Sequence, residues 1–128
     1  MPHLKLERSS NVVLPDDVTG LLQELHTAVA DIGGIRIGNC KSRVYVADDY
    51  LIGSGGDQGG FVHLDVRFLE GRSAEARQAI GKALLELLVQ SITPINGAVD
   101  LHISVEVRDI ARAEYFKYPE GTLTPVPE

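Results

Sequence analysis

The sequence is poor in cysteine and in long apolar runs, and each shortage excludes a class of protein. The single cysteine, Cys40, cannot form an internal disulfide, so nothing indicates an oxidising compartment. No apolar run approaches the roughly 20 residues that a membrane-spanning helix needs. The first residues lack the basic and apolar regions of a secretory signal. We therefore expect a cytoplasmic protein, with Cys40 packed as a small hydrophobic residue.

Basic residues are also few. The chain has 12 Lys and Arg against 18 Asp and Glu, which gives a formal net charge of −6. Nucleic-acid affinity depends mainly on clustered Lys and Arg, so this balance argues against a nucleic-acid-binding protein. The length of 128 residues and the apolar fraction of 44% predict one soluble domain over residues 1–128. Such a domain can bury a core without metals or disulfides.

The two halves of the chain carry the same pattern of elements. Each half predicts a strand with alternating apolar residues, a helix with an apolar stripe and a second strand. The predicted order is strands at 4–6, 43–47, 62–68 and 101–107, with helices between the members of each pair. Pro2–Leu6 also aligns with Val62–Val66. We interpret this as an internal repeat, at about 2–47 and 61–108, followed by a tail over 109–128.

Short signals predict where the helices begin and end. Pro15 with two following aspartates indicates the first turn of the first helix, and Gly33-Gly34 indicates its end. Ser73 is a predicted N-cap of the second helix, with Glu75 in its first turn. The second helix should end near Thr93-Pro94.

The repeat predicts an α+β fold: a four-stranded sheet with both helices on one face, built from parallel β-α-β units with right-handed crossovers. The other face would then be polar and either meet water or lie inside an oligomer. Its members would include His3, Lys5, His63, Asp65, His102 and Glu106. The tail contains three aromatics, Tyr115, Phe116 and Tyr118. We expect it to be docked, on a neighbouring subunit, although a plain solvated tail is the alternative.

Pro2 is the first candidate for chemistry. Removal of Met1 would leave a secondary amine anchored at the start of a core strand. An α-amino group has a pKa of about 7.7–8.0, and burial moves the pKa of an amine lower. Such a base suits proton transfer beside a carbonyl. If Met1 stays attached, the Pro2 nitrogen is an amide without basicity, and many chains begin Met-Pro for no catalytic reason.

Basic residues near strand ends are the second candidates. Lys41 and Arg43 flank the start of the second strand, and Arg72 lies in the turn before the second helix, where free N–H groups also favour an anion. Arginine binds carboxylates through two parallel hydrogen bonds. Together with a base, these cations suit an acidic enol or keto acid. Each of them could equally be a solvated charge or a structural ion pair.

Other motifs are interpreted as structural. The segment Gly53–Gly60 lacks the Lys-Ser/Thr of a phosphate-binding loop and precedes a strand, so we interpret it as a flexible connection. The four histidines show no metal-binding spacing. His3 and His63 occupy the same position of the two repeats, which indicates a shared place on the polar sheet face. No Ser-His-Asp or Cys-His arrangement is visible, and neither a metal nor a cofactor is predicted.

With these residues in view, the sequence resembles the 5-carboxymethyl-2-hydroxymuconate Δ-isomerase family of the tautomerase superfamily. The matching stretches run in the family's order over nearly the whole chain. They are Met1-Pro2-His3, Ser42-Arg43-Val44, Phe61-Val62-His63, Gly71-Arg72-Ser73, Arg77-Gln78, the helix over 80–89 and Phe116-Lys117. The resemblance implies the tautomerase β-α-β repeat, assembled as a homotrimer.

The resemblance also implies an activity and its residues. The enzyme would be an isomerase that transposes a C=C bond, moving a proton from the 2-hydroxyl of a dienol to a distant carbon, in bacterial breakdown of homoprotocatechuate. Pro2 would be the general base and acid. Arg43 and Arg72 would bind the substrate carboxylates, and the tail around Phe116 would cover a neighbouring subunit's pocket.

Departures from the family pattern leave alternatives open. Lys41 stands where the family has arginine, which keeps the charge but loses the planar fork, and Tyr115 replaces a small polar residue. Other superfamily chemistry is therefore the first alternative: keto-enol tautomerisation, dehalogenation or decarboxylation, with Pro2 charged. A trimeric binding protein without chemistry is the second. Because Val62 stands where the first repeat has Pro2, we expect one site per chain.

Overall fold

Two β-α-β units follow one another, and the computed structural model describes them over residues 2–56 and 58–119. The elements in chain order are β1 (His3–Ser9), α1 (Val18–Gly33), β2 (Lys41–Ala47), β3 (Gly59–Leu69), α2 (Ala74–Ile92) and β4 (Asp100–Ile110). Short 3₁₀ turns cover Ile37–Asn39, Thr93–Ile95 and Arg112–Glu114. The predicted double repeat is confirmed. None of the described helices is both long and apolar enough to cross a bilayer.

The four strands form one mixed sheet in the order β2-β1-β3-β4. β1 pairs with β2 and β3 with β4 in parallel, as the β-α-β units require. The two central strands, β1 and β3, are antiparallel, with Leu6 opposite Leu64. The two repeats are therefore related by an approximate twofold rotation. The start of β1 lies beside the end of β3, where His3 is opposite Arg67.

Both helices cover one face of the sheet, and the core lies between these two layers. Alternate strand residues point into it because successive side chains of a strand face opposite sides. The core members with no exposed surface include Leu4, Leu6, Leu25, Leu64, Val66, Phe68, Ile80, Leu84 and Leu88. Burying each large apolar side chain contributes about 1.5–3 kcal/mol. The predicted α+β architecture is confirmed, and it leaves the polar face of the sheet uncovered in the single chain.

The helix boundaries follow their capping groups. The α1 helix begins at Val18, later than Pro15 predicted, because the Asp17 side chain accepts a hydrogen bond from the Gly20 N–H at 2.9 Å and caps the helix there. Pro15 thus lies outside the helix. Gly34 ends α1 in the left-handed conformation, with φ 63°. The predicted Ser73 cap of α2 is confirmed by its hydrogen bond from Ala76 N, 3.1 Å long.

The glycine-rich segment is only partly a connection. Its last two residues, Gly59 and Gly60, belong to β3, so the interpretation of the whole of Gly53–Gly60 as a flexible connection is wrong at this end. Gly60 is buried, and a Cβ added there would lie 2.7 Å from a Val99 methyl and 2.8 Å from a Val12 methyl. The glycine is needed for close packing, which a sequence pattern of glycines does not distinguish from mobility.

Candidate active site

Pro2 is buried and lies directly before β1. Its carbonyl accepts a hydrogen bond from the backbone N–H of Lys41 at 3.1 Å. Since Lys41 begins β2, Pro2 is held at the end of the sheet where two parallel strands start. Met1, on whose removal the predicted base depends, lies outside the described residues.

A polar cluster that includes His3, the residue after Pro2, occupies the uncovered face of the sheet. The Arg43 guanidinium nitrogen Nη1 lies 3.1 Å from His3 Nδ1, and Tyr115 Oη lies 3.0 Å from His3 Nε2. These three side chains come from β2, β1 and the tail. They line a cavity of about 280 Å³ together with Lys5, Asp65, Arg67 and Ile110. Arg43 thus lies beside His3, and its binding of substrate stays a prediction.

Positive charge dominates the part of this cavity near His3. Burial lowers the pKa of His3, and the charges of Arg43 and Lys41 lower it further. The imidazole is consequently neutral at neutral pH. Burial also raises the pKa of Tyr115, against the opposing effect of Arg43, so its phenol stays protonated. A neutral ring beside two cations leaves the positive charge available to an anionic ligand.

Asp65 supplies the negative charge at the other side of the cavity. Its side chain is 13% exposed and its two oxygens lie 3.3 Å from Arg67 Nε and 3.3 Å from Arg108 Nε. Arg108 Nε also lies 3.6 Å from Glu106 Oε2, so two carboxylates balance the two guanidinium groups at this side of the cavity. Lys5, opposite Asp65 in the register, lies over the Tyr45 ring at 5.7 Å.

Arg72 lies at the same end of the sheet but serves a visible structural purpose. Its Nε donates to the carbonyl of Gly33, and its Nη1 donates to the carbonyl of Leu69, each at 3.0 Å. Its guanidinium also stacks over the Phe68 ring at 5.1 Å. Burial lowers the pKa of Arg72. Arg72 thus joins the end of α1 to the end of β3, and its binding of substrate stays a prediction.

Phe116 is not brought to the cavity of its own chain. Its side chain is 80% exposed, and Tyr118 is 96% exposed, whereas Tyr115 packs on the sheet. One of the three aromatics of the tail thus packs on its own chain. Whether Phe116 covers a neighbouring subunit stays a prediction, and residues 120–128 of the tail lie outside the described residues.

Two side-chain contacts were not predicted from the sequence, one in this cluster and one on the helix-covered face of the sheet. The His3–Tyr115 contact joins residues 112 positions apart, and no local pattern signals such a pair. His26 Nε2 lies 2.8 Å from Ser42 Oγ, a Ser-His pair that the sequence did not reveal. Because strand residues alternate, Ser42 faces the helices and not the cavity of Arg43. Within residues 2–56 and 58–119, no group of three metal-ligating side chains is placed to hold an ion.

A comparison with known protein families identifies the family of this chain, and the match begins at Pro2. The family model of 5-carboxymethyl-2-hydroxymuconate isomerase matches residues 2–120. The chain belongs to this isomerase family. It is 28% identical over 117 residues to 5-carboxymethyl-2-hydroxymuconate Delta-isomerase of Escherichia coli, which covers 91% of this chain and 93% of that protein. The predictions of an isomerase that transposes C=C bonds and of the tautomerase superfamily are confirmed.

Solved structures of similar proteins share the architecture of this chain. A 5-carboxymethyl-2-hydroxymuconate isomerase from Deinococcus radiodurans R1 superimposes with a TM-score of 0.79 at 28% identity, over 91% of this chain and 87% of that one. A fused 4-OT wild-type symmetric trimer, W0, superimposes with a TM-score of 0.72 at 16% identity, over 95% and 98%. The second similarity shows the shared fold alone.

Proposed function

We propose that this chain isomerises an unsaturated 2-hydroxy dicarboxylic or tricarboxylic acid, 5-carboxymethyl-2-hydroxymuconate, with the amine of Pro2 as general base and acid. The observation that carries the proposal is the hydrogen bond from Lys41 N to the Pro2 carbonyl, which joins the start of β1 to a strand bearing Lys41 and Arg43. The cavity itself is lined by His3, the residue after Pro2, and by the cations of Lys5, Arg43 and Arg67, whose charge fits an anionic substrate. The family match over residues 2–120 supports the same substrate class.

The proposed reaction is a proton transfer in two steps. The free amine of Pro2 takes the proton of the substrate's 2-hydroxyl. The O–H electron pair then forms the C2=O bond while the double bonds shift along the carbon chain of the substrate. The ammonium then returns the proton to a distant carbon, so that no atom is gained or lost. Burial of Pro2 supports this role, since desolvation lowers the pKa of an amine from about 8 towards neutrality.

Arg43, Arg72 and Lys41 are the proposed carboxylate-binding residues. Arg43 is exposed at the cavity and carries the planar fork that binds a carboxylate through two hydrogen bonds. Lys41 offers a point charge in place of a fork, so we expect it to contribute less to orientation. Positive charge near the developing oxyanion also favours the transition state of the first step.

We further propose a homotrimer in which Phe116 covers the pocket of a neighbouring subunit. Its 80% exposure in the single chain and the trimeric relative of the same fold support this assembly. An assembly would also cover the polar sheet face. A cytoplasmic role in homoprotocatechuate breakdown completes the proposal.

The test combines intact mass with turnover. The intact mass of protein purified from its native host is measured by mass spectrometry to determine whether Met1 is absent. Turnover of 5-carboxymethyl-2-hydroxymuconate is then followed by absorbance. We expect Pro2→Ala to lower kcat by about 10²- to 10⁴-fold, the usual contribution of a general acid–base group. Pro15→Ala is the matched control, because Pro15 lies outside both helices and the cavity, and it should keep wild-type kcat.

Two results would contradict the proposal. A native protein that retains Met1 has no basic nitrogen at Pro2, and a Pro2→Ala variant with wild-type kcat has no need of one. Turnover of other enolised keto acids, with none of the hydroxymuconate, would replace the substrate and keep the base.

A further inference from the structure

Tyr115 is the aromatic of the tail that packs on the polar face of the sheet. Its ring meets the His3 ring edge to face, with centroids 6.0 Å apart and planes at 66°. The neighbouring Phe116 and Tyr118 are 80% and 96% exposed. The tail is therefore docked through Tyr115, and this docking depends on His3.

The segment before Tyr115 is itself held in place. The backbone N–H of Arg112 donates to Glu70 Oε2 at 2.8 Å, and Arg112 Nε donates to the Glu70 carbonyl at 3.1 Å. These contacts tie the 3₁₀ turn to the residue that follows β3. Tyr115 consequently approaches His3 from a fixed starting point, which limits the entropy lost in forming the contact.

The chemistry of the three side chains determines the direction of each hydrogen bond. A guanidinium group only donates, so His3 Nδ1 accepts from Arg43 Nη1 and carries no proton. A neutral imidazole then has its proton on Nε2, and that N–H donates to Tyr115 Oη. The lowered pKa of His3 agrees with a neutral ring. The alternative tautomer would aim an N–H at Arg43 and lose that hydrogen bond, whereas the Tyr115 hydroxyl can bond to Nε2 in either tautomer.

We infer that Tyr115 is a positioning residue for the isomerase reaction: by its hydrogen bond with His3 Nε2, it holds the imidazole ring in the orientation in which Nδ1 accepts from the Arg43 guanidinium at the substrate pocket. The inference rests on the proposed role of Arg43 as a carboxylate-binding residue. Arg43 is exposed, and a long exposed side chain samples several rotamers unless an acceptor holds it. His3 is that acceptor, and the hydrogen bond with Tyr115 fixes the orientation of its ring.

The first test uses Tyr115→Phe, which removes the hydroxyl and keeps the ring. Tyr118→Phe is the matched control, since it removes the same atom from an exposed tyrosine of the same tail. With 5-carboxymethyl-2-hydroxymuconate, we expect Tyr115→Phe to raise KM by about 3- to 10-fold, the effect of one hydrogen bond, with kcat nearly unchanged. Tyr118→Phe should keep the wild-type KM. A wild-type KM in Tyr115→Phe would overturn the inference.

The second test observes the His3 ring directly and does not depend on turnover. The ¹⁵N chemical shifts of the His3 imidazole distinguish a ring protonated on Nε2 from one protonated on Nδ1. We expect a single Nε2-protonated form with a hydrogen-bonded Nδ1 in the wild type at neutral pH, and loss of the Nδ1 hydrogen-bond shift in Tyr115→Phe, because the ring is no longer held towards Arg43. A variant that merely loosened the fold would change amide signals throughout the chain and not the His3 ring alone. Unchanged ring shifts in the variant contradict the inference.

A double-mutant cycle distinguishes an effect of Tyr115 that acts through His3 from an effect that is independent of His3. In His3→Asn, the side-chain amide can still accept from Arg43 near the position of Nδ1 but does not reach Tyr115. Adding Tyr115→Phe to this background should change KM by less than about 2-fold if Tyr115 acts through His3. An additive effect overturns the inference. A wild-type chain without turnover would refute the proposed function instead, and the ¹⁵N comparison would still decide the arrangement of His3 and Tyr115.

Discussion

Gly60 offers the most direct test of how the glycine-rich segment is built. A methyl group added at Gly60 would lie within 3.0 Å of Val99 Cγ1 and Val12 Cγ2, and 3.1 Å from Asn11 Oδ1. Val12 is buried, and Asn11 donates to the Gly59 carbonyl at 2.7 Å. None of these neighbours can move without disturbing core packing or a hydrogen bond. Gly60→Ala should therefore overpack this corner of the fold.

The magnitude follows from this overpacking. Adding a methyl group to a filled site costs typically about 1–3 kcal/mol. For a chain of this length, each kcal/mol lowers the melting temperature by about 4 °C, so we expect a decrease of about 4–12 °C. Gly56 is the control within the same segment, because no atom lies within 4 Å of its added Cβ. Gly56→Ala should leave the melting temperature unchanged or raise it slightly through a less flexible unfolded chain.

Thermal unfolding of the two variants by circular dichroism, at one protein concentration, distinguishes the two descriptions of the segment. The concentration is held constant because assembly would shift the melting temperature by mass action. If Gly60→Ala melts within about 1 °C of the wild type, Gly60 is not packed as described and the segment is a simple connection after all.

Three further predictions concern the caps and the cluster. Asn96→Asp should lower the free energy of unfolding by about 1–3 kcal/mol in urea titrations, since it loses the hydrogen bonds from the amide nitrogen to the carbonyls of Val13 and Ile92, each 2.8 Å long, and places an oxygen near them. Ser73→Ala should cost about 1 kcal/mol of helix capping, measured in the same way, and an unchanged urea midpoint would contradict the cap. Burial, followed by Arg43, lowers the pKa of His3 from 6.5, so its neutral form stabilises the fold above about pH 6.5 and this contribution is lost as the pH falls through the lower folded value. The wild type should therefore lose stability in that window more steeply than His3→Asn, and parallel pH curves would refute the assignment.

The fold followed from the sequence where burial is periodic. Leu4 and Leu6 in β1, and the apolar stripe of α2 around Leu84, alternate at the periods of a strand and a helix. Strand ends were harder to predict. Lys41 and Gly59 begin their strands without an apolar pattern, because a polar or glycine residue at a sheet edge carries no periodic signal. The antiparallel pairing of β1 with β3 was also not specified, since a period of two does not identify a partner.

The candidate site was predictable only in part. Pro2 and Arg43 belong to one β-α-β unit, and a parallel unit brings the starts of its two strands together. The contact of Tyr115 with His3 depends on how the tail crosses the sheet, which no local pattern encodes. The binding of Arg72 to the carbonyls of Gly33 and Leu69 was equally hidden, because backbone acceptors leave no mark in a sequence.

The twofold relation of the repeats puts one duplicated histidine at two ends of the central strand pair, where the neighbouring strands β2 and β4 carry different residues. His3 and His63 share a position in the repeat, but His3 is opposite Arg67 and His63 is opposite Glu7. The two histidines therefore lie four residues apart along the sheet, about 13 Å at about 3.3 Å per residue. His3 meets Arg43, whereas His63 lies 2.7 Å from Ser104 Oγ and 3.5 Å from a Glu106 oxygen. The same substitution at each histidine would therefore have different effects. At His3 it would remove the acceptor of Arg43, and at His63 it would remove the neighbour of Glu106.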